Sequence, residues 1–397
     1  MHRIEAVIVG WQAGWNKWPD SEDRDYSSVL SRRALLELDS VEVCFRWYPI
    51  HRAYTIAGEG LPVTHPYVNN TVLPSANVRK IMVADLRAIA LDGCRLCIWE
   101  QAIQCYPDVV YYLSELFRHA ILIHCDDCPG STELKTERIA SYFDTVFHGN
   151  IVWNRAGEHT SALYRRLGVE DAHYIALGTT GGFLDGLLDN PEGTEEGAGI
   201  TPLRYGLSSA LPGRKPFSLD DRIAALRRRE YRYDLAFVGG ALGDQRAEFN
   251  RFVAANRDLR IACFGIGMSG GPLTPRIPRI IGRPVAKLYL SSFATINIPF
   301  IGLMGTRPFD AWASGTLLFQ HDALHELEAV GVQAGKHYVN FAGFGSLSSS
   351  IRHYQKELDE TEEILRAGHA LGEKLRAKYS IKAALASVLD ENRERFL

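Results

Sequence analysis

Leu288–Gln320 reads LYLSSFATINIPFIGLMGTRPFDAWASGTLLFQ. Thr295–Ile298, which continues the apolar Phe293-Ala294, and Thr316–Gln320, built on Leu317-Leu318-Phe319, are short runs dominated by apolar residues. Both therefore read as strands buried on two faces, the first carrying Asn297 near its end. Between them lie a Gly-containing loop, Thr306 and Arg307, and a short helix that carries Asp310 and closes at Ser314-Gly315. Strand, crossover helix and strand make a βαβ unit and hence a parallel sheet. The same stretch carries chemistry. Loop glycines and the free N–H groups of a helix starting near Arg307 suit an anion. Arg307 adds a planar fork that fits phosphate oxygens. Asp310 is one turn further on, on a similar helix face, where a carboxylate can accept two hydroxyl hydrogen bonds from a ribose. The plainer alternatives are an acid favoured by the helix dipole for Asp310 and a solvated or interdomain ion-pair residue for Arg307.

Working outward, the alternation of strand and helix continues on both sides. In the first half the strands read as Glu5–Gly10, Val41–Arg46, Cys94–Trp99, Ala120–His124, Thr145–Phe147 and His173–Ala176. Helical periodicity covers Ser28–Leu38, Val78–Leu91, Val109–Phe117, Glu133–Tyr142 and Glu158–Leu167. The pattern lapses in DNPEGTEEGAGITP and SSALPGRKP, which are rich in Gly, Pro and acids. It resumes with strands Asp234–Val238 and Arg260–Phe264 and helices Arg246–Ala255, Val285–Ser292 and Arg307–Ser314. A helix over Leu347–Ala367 and further helix to about Asn392 follow. The expected architecture is α/β: two doubly wound, Rossmann-like parallel-sheet domains facing a cleft, with a helical C-terminal tail. The boundaries fall at 1–184 for the first domain, 185–232 for a linker or surface excursion and 233–380 for the second domain. A final helix at 381–397 is placed to brace the first domain.

Composition narrows the function classes. The chain has 397 residues, with 44 Lys plus Arg against 47 Asp plus Glu, a formal net charge of −3. That balance lacks the basic excess of a nucleic-acid binder and the polybasic footprint of a membrane-surface protein. At 46% hydrophobic residues, intrinsic disorder is excluded. The start, MHRIEAVIVGW, has no signal-peptide pattern. Apolar stretches such as Ala294–Gly305 fall short of the roughly 18 residues of a membrane span, so the expected location is cytoplasmic. Seven cysteines fit a reducing compartment. The pairs Cys94/Cys97 and Cys125/Cys128 imitate a zinc site, but the first lies in an apolar run where residues three apart face opposite sides of a strand. Buried apolar cysteines are the simpler reading. Asp23-Arg24-Asp25 matches a metal-binding DxD only trivially, so no metal and no cofactor are expected.

Other candidates cluster at strand ends. Gly239 and Gly240 end one strand and Gly265 follows the next, where backbone approaches a ligand or simply turns. The loop Gly10–Asp20 holds Trp11, Trp15 and Trp18, and indole faces stack on sugars and flat apolar acceptors or form a small satellite core. His124, Asp126 and Asp127 follow an apolar strand, as a general base or as a strand-end hydrogen-bonding cap.

NIPFIGLMGTRPFDAWASGTLLFQHDALHEL resembles the C-terminal half of the spore-maturation CgeB-like glycosyltransferases and, more broadly, the group-1, GT-B-type enzymes. DLAFVGG with Arg246, IACFGIG and RPVAKLYLSS resemble the pieces that precede it in those enzymes. The resemblance covers roughly 234–379 and is weaker before that. It implies a nucleotide-diphosphosugar donor in the C-terminal domain and an acceptor in the N-terminal one. Asp310 then takes the place of the ribose-binding acid, and Arg307 with the Gly239-Gly240 loop takes the diphosphate, with Arg246 assisting. Thr306, Asn297 and Gly265 complete the donor set. Two departures stand out: Gly302 occupies the position of a second acid found in many group-1 enzymes, and Asp310 is one methylene shorter than the usual Glu. The implied activity is metal-independent sugar transfer to a polysaccharide, a protein or a secondary metabolite. Alternatives are a catalytically silent nucleotide-sugar-binding scaffold and a GT-B-like nucleotide-sugar epimerase or hydrolase.

Overall fold

Continuous apolar runs separated by helical segments have one economical solution, a parallel sheet covered on both faces. The computed structural model of the chain describes residues 4–10, 41–49, 54–56, 61–63, 66–67, 95–100, 114–124, 140–149, 159–175, 217–239, 244–264, 283–298, 307–321, 330–379 and 381–397. These fall into two compact units. The first joins Met1–Leu177 to Lys378–Leu397, and the second is Gly178–Ala377.

In the first unit, β1 (Ile4–Gly10), β2 (Val41–Pro49), β6 (Leu96–Glu100), β7 (His119–His124), β8 (Thr145–His148) and β9 (Asp171–Tyr174) are parallel. A two-residue strand, β5 (Pro66–Tyr67), is antiparallel to β2, and β3 (Tyr54–Ile56) pairs with β4 (Leu61–Val63) as a separate hairpin. The order β5-β2-β1-β6-β7-β8-β9 changes direction between β1 and β6. Helix α1 (Thr160–Arg166) packs between β8 and β9 in sequence. Alternate residues Leu96, Ile98, Ile121 and Ile123 share one sheet face with Ile4, Ala6 and Phe147. Leu385, Val388, Leu389 and Phe396, from helices near the C-terminus, complete that core. Leu385, Val388 and Leu389 have the spacing of one helix stripe, which explains why this segment docks on a sheet.

In the second unit the sheet order is β11-β10-β12-β13-β14, all parallel. The strands are β10 (Tyr233–Val238), β11 (Ile261–Phe264), β12 (Ser292–Asn297), β13 (Leu317–His321) and β14 (Val339–Phe341). Helices α2 (Leu219–Arg227), α3 (Asp244–Ala255), α4 (Arg283–Leu290), α5 (Arg307–Ala313), α6 (Phe344–Tyr354) and α7 (Leu358–Tyr379) surround it. α7 runs on into the first unit, where α8 (Ile381–Glu391) and α9 (Arg393–Phe396) follow. Numbered from its first strand the order is 2-1-3-4-5, so the switch point lies between β10 and β12, and ligands of open α/β sheets sit outside the carboxyl ends of the strands there.

The opposite end of this sheet is fastened by polar contacts. Arg222 on α2 is buried; its Nε donates to Gly315 O at 3.3 Å, and its Nη2 donates to Tyr289 O and Ser292 O. Burial lowers its pKa to about 10. Asp234 accepts from Arg260 N and Nη2 at 2.8 Å and from Gln355 Nε2 at 2.9 Å. Burial alone would raise the Asp234 pKa, but the bonds from Arg260 and Gln355 outweigh it and hold the carboxyl below its ordinary value.

The structure departs from sequence expectation in several places. α2, capped by the Ser218 hydroxyl accepting from Asp221 N at 3.2 Å, is a helix within the stretch read as a linker or surface excursion. The helix expected over Leu347–Ala367 is two, because the chain turns at Gln355 to reach Asp234 and Thr361 Oγ1 donates to Tyr354 O at 2.7 Å. α4 stops at Leu290, and Ser292 opens β12 instead of closing the helix. The expected helices at 28–38 and 78–91 lie outside the described residues.

Two glycines show how packing decides the sign of one substitution. A Cβ on Gly368 in α7 would stand 2.6 Å from Trp312 Cδ1 and 2.9 Å from His337 O, whereas a Cβ on Gly345 in α6 meets nothing within 4 Å. Gly345→Ala should stabilise the protein by roughly 0.5–1 kcal/mol, the ordinary helical preference. Gly368→Ala should destabilise it by about 1–3 kcal/mol through overpacking. Urea denaturation of the two variants measures both signs.

Candidate functional site

Arg307, the first residue of α5, lies across the switch point of the second sheet. Its Nε donates to Val238 O at the end of β10, at 2.5 Å, and its Nη1 donates to Asn297 Oδ1 at the end of β12, at 3.2 Å. Its Cζ stands 5.6 Å from the centre of the Phe237 ring. These fixed points direct the guanidinium at Gly239, where an added Cβ would be 2.7 Å from Nη2 and 2.8 Å from Phe237 Cζ. Gly239 is thus a close-approach glycine: any side chain would push the arginine away. Gly239 N also donates to Phe264 O at 2.8 Å, which ties this loop to β11.

Asn297 is itself held. Its Nδ2 donates to Gln320 Oε1 at 2.8 Å, and the two residues are register partners on β12 and β13. Both amides are buried. Asn297 therefore meets Arg307 through its oxygen and Gln320 through its nitrogen.

Asp310 is buried because α5 is covered on nearly every side; Pro308, Phe309, Ala311 and Trp312 are buried as well. Trp312 Nε1 donates to His337 O at 2.8 Å, and Ser314 Oγ donates to Asp310 O at 2.7 Å, so the helix cannot roll. Gly315, at φ +57°, closes α5 in a left-handed turn. Asp310 Oδ1 has no hydrogen-bond partner among the described residues, and neither has the buried hydroxyl of Tyr289 on α4. Burial drives the Asp310 carboxyl well above its usual pKa range, against the opposing field of Arg307. Burial and then the charge of Asp310 push the Tyr289 phenol upward too. The arrangement couples a fixed guanidinium to a desolvated carboxyl, which suits a ligand with a phosphate at one end and hydroxyls at the other.

Of the expected donor residues, Gly239, Asn297, Arg307 and Asp310 come together at this edge. Arg246 lies on α3, with its side chain outside the described residues. Gly240, Gly265 and Thr306 lie outside them altogether, as do Asp126, Asp127, Trp11 and Trp15. His124 is the last residue of β7, in register with His148 of β8, and its side chain lies outside them. Sequence reasoning passed over Gln320 and Tyr289. A signal for Gln320 was present: an amide ends each of two neighbouring apolar runs, at Asn297 and Gln320, and a buried amide needs a partner.

Among the described residues, no group of three His, Cys, Asp or Glu side chains is placed to hold a metal ion, and no helix is long and apolar enough to cross a membrane. Cys97 is buried, and burial pushes the Cys263 thiol up to about 12.

No family model matches the chain, and no curated protein sequence matches it. Solved structures do resemble it. Sucrose-phosphate synthase from Thermosynechococcus elongatus superposes with a TM-score of 0.54 at 12% identity, over 99% of this chain and 100% of that one. The catalytic domain of starch synthase IV from Arabidopsis thaliana, bound to ADP and acarbose, gives 0.53 at 11% identity, over 97% of this chain and 100% of that one. HepE of Anabaena, in complex with UDP and glucose, gives 0.52 at 11% identity, over 99% of this chain and 100% of that one. At these identities the likeness establishes the fold. The chain has the GT-B-type architecture of two Rossmann-like domains.

The buried carboxyl generates a prediction with a definite sign. A carboxyl whose folded pKa is raised lowers stability above its unfolded value, near pH 4. The penalty grows as pH rises toward the folded value and vanishes in acid. Asp310→Asn should therefore stabilise the ligand-free protein at pH 7 by roughly 1–3 kcal/mol and leave its stability at pH 4 nearly unchanged. Urea denaturation at the two pH values tests it.

Proposed function

We propose that the protein transfers a sugar from a nucleotide-diphosphosugar donor, and that the donor binds at the β10/β12 edge of the second unit. The observation that carries this reading is the guanidinium of Arg307, anchored at the switch point, directed at Gly239 and electrostatically coupled to buried Asp310. The shared fold supports it, since a glycosyltransferase from Rickettsia africae has this architecture, and HepE and starch synthase IV hold UDP and ADP on it.

Arg307 would receive the diphosphate, with backbone at Gly239 and Gly240 approaching the phosphate oxygens and Arg246, Gly265 and Thr306 completing that end. Asp310 would accept the ribose hydroxyls. Breaking the bond between sugar and diphosphate builds negative charge on the departing oxygen. A guanidinium that is already oriented stabilises that charge without reorganising, so the transfer is proposed to need no metal. The acceptor would bind on the first unit, with Trp11 and Trp15 stacking on it. His124, Asp126 or Asp127 would take the proton from its attacking hydroxyl or amine. A closer relation to the CgeB-like group is proposed on the sequence resemblance over roughly 234–379.

A thermal-shift panel of UDP-, ADP-, GDP-, dTDP- and CMP-sugars should give a selective rise with one nucleotide class. Titration calorimetry with that donor should show at least a tenfold loss of affinity in Arg307→Ala and in Asp310→Ala. Silence across the whole panel, or unchanged affinity in both variants, would contradict the reading. Donor binding without transfer or hydrolysis in the presence of varied acceptors would favour the silent-scaffold alternative.

A further inference from the structure

We infer that Gln320 is a positioning residue for the Arg307 anion site, acting through Asn297 as a polarity switch that keeps an oxygen rather than an amide NH2 facing the guanidinium. The inference rests on the proposed donor site and assigns a role that neither the sequence nor the fold family suggested.

Asn, like Gln, is a neutral side chain whose two ends are nearly the same size and opposite in hydrogen-bonding sense. Rotated by half a turn, the Asn297 amide would point Nδ2–H2 at the Nη1–H of Arg307, donor against donor. The guanidinium would then lose one of its two anchors. The donor-only guanidinium favours the rotamer with oxygen toward it, and the acceptor on the far side, Gln320 Oε1 at 2.8 Å from Asn297 Nδ2, satisfies the NH2 that this rotamer turns away. Both amides are almost fully buried, Asn297 at 1% and Gln320 at 3% exposure, so water cannot substitute for a missing partner. The β12/β13 register places the two residues side by side and so fixes the relay in the sheet rather than in a loop. Arg307 then has Val238 O and Asn297 Oδ1 as its two anchors, which leave Nη2 directed at Gly239. A guanidinium held at two points arrives at a diphosphate with little rotamer entropy left to lose.

The geometry also says how to undo and restore the switch. Gln320→Met keeps the volume and removes the acceptor, so Asn297 is free to turn. A carboxylate at 297 has oxygen at both ends and needs no orienting partner. The double variant Gln320→Met/Asn297→Asp should therefore recover the Arg307 anchor that Gln320→Met loses, while its added negative charge opposes the diphosphate. A Gln320 that merely packs the sheet offers no reason for rescue at a neighbouring residue.

The test measures UDP and uridine affinities by calorimetry, so that the diphosphate increment is read separately from the nucleoside. Gln320→Met should weaken UDP about tenfold and leave uridine unchanged. Unchanged UDP affinity in Gln320→Met, or equal losses for UDP and uridine, would overturn the inference. A ligand-independent readout separates this outcome from a failure of the donor reading. In arginine-labelled protein, the Arg307 Nη1–H should exchange slowly in wild type, quickly in Gln320→Met and slowly again in the double variant. If that pattern appears while UDP fails to bind wild type, the relay stands and the choice of nucleotide is wrong. If the exchange rate is the same in all three proteins, the relay is wrong whatever binds.

Discussion

A guanidinium at the carboxyl end of two adjacent parallel strands is the constraint around which the second unit is arranged. Arg307 is anchored to a backbone carbonyl and to an amide oxygen, both neutral. Neutral acceptors orient a cation without cancelling its charge, so the field stays directed at whatever approaches Gly239. The glycine there, the Phe237 ring beneath the guanidinium and the Asn297–Gln320 pair behind it all follow from holding that charge in place. Asp310, one turn along the same helix, is electrostatically coupled to it and is desolvated by the packing of α5.

Holding one side chain this firmly requires a rigid frame. Trp312 locks α5 against α7, where Gly368 and Gly372 let the indole lie against the helix backbone. At the far end of the sheet, Arg222 and the Asp234–Arg260–Gln355 cluster fasten the helices to the strand starts. The unsatisfied, buried carboxyl at the ligand edge is a cost borne by stability, the kind of local conflict that functional sites retain. The polar contacts at the opposite end are satisfied, as expected where nothing needs to bind.

Most strands were legible in the sequence because a strand buried on both faces must be continuously apolar. β14 was not: it is three residues long with Asn340 exposed in the middle, so it carries no such run. β5 contains a proline and has only two residues, below any periodic signal. α2 was hidden inside a Gly- and Pro-rich stretch, and its buried Arg222 contradicts the usual exposure of arginine; only the Ser218 cap marked its start. At the site, Arg307 and Asp310 were legible as types in a pattern. The pairing of Asn297 with Gln320 was only hinted at by the amide that ends each apolar run, because which groups meet depends on strand register.

The central claim is that Arg307 receives the diphosphate of a nucleotide ligand at the β10/β12 edge. The most direct measurement is a crystal structure of the protein with the nucleoside diphosphate that stabilises it most. The account predicts phosphate oxygens within hydrogen-bonding distance of the Arg307 guanidinium and ribose hydroxyls on Asp310, with Asn297 Oδ1 still facing the arginine. A nucleotide bound elsewhere, or one whose phosphates leave Arg307 untouched, would contradict it.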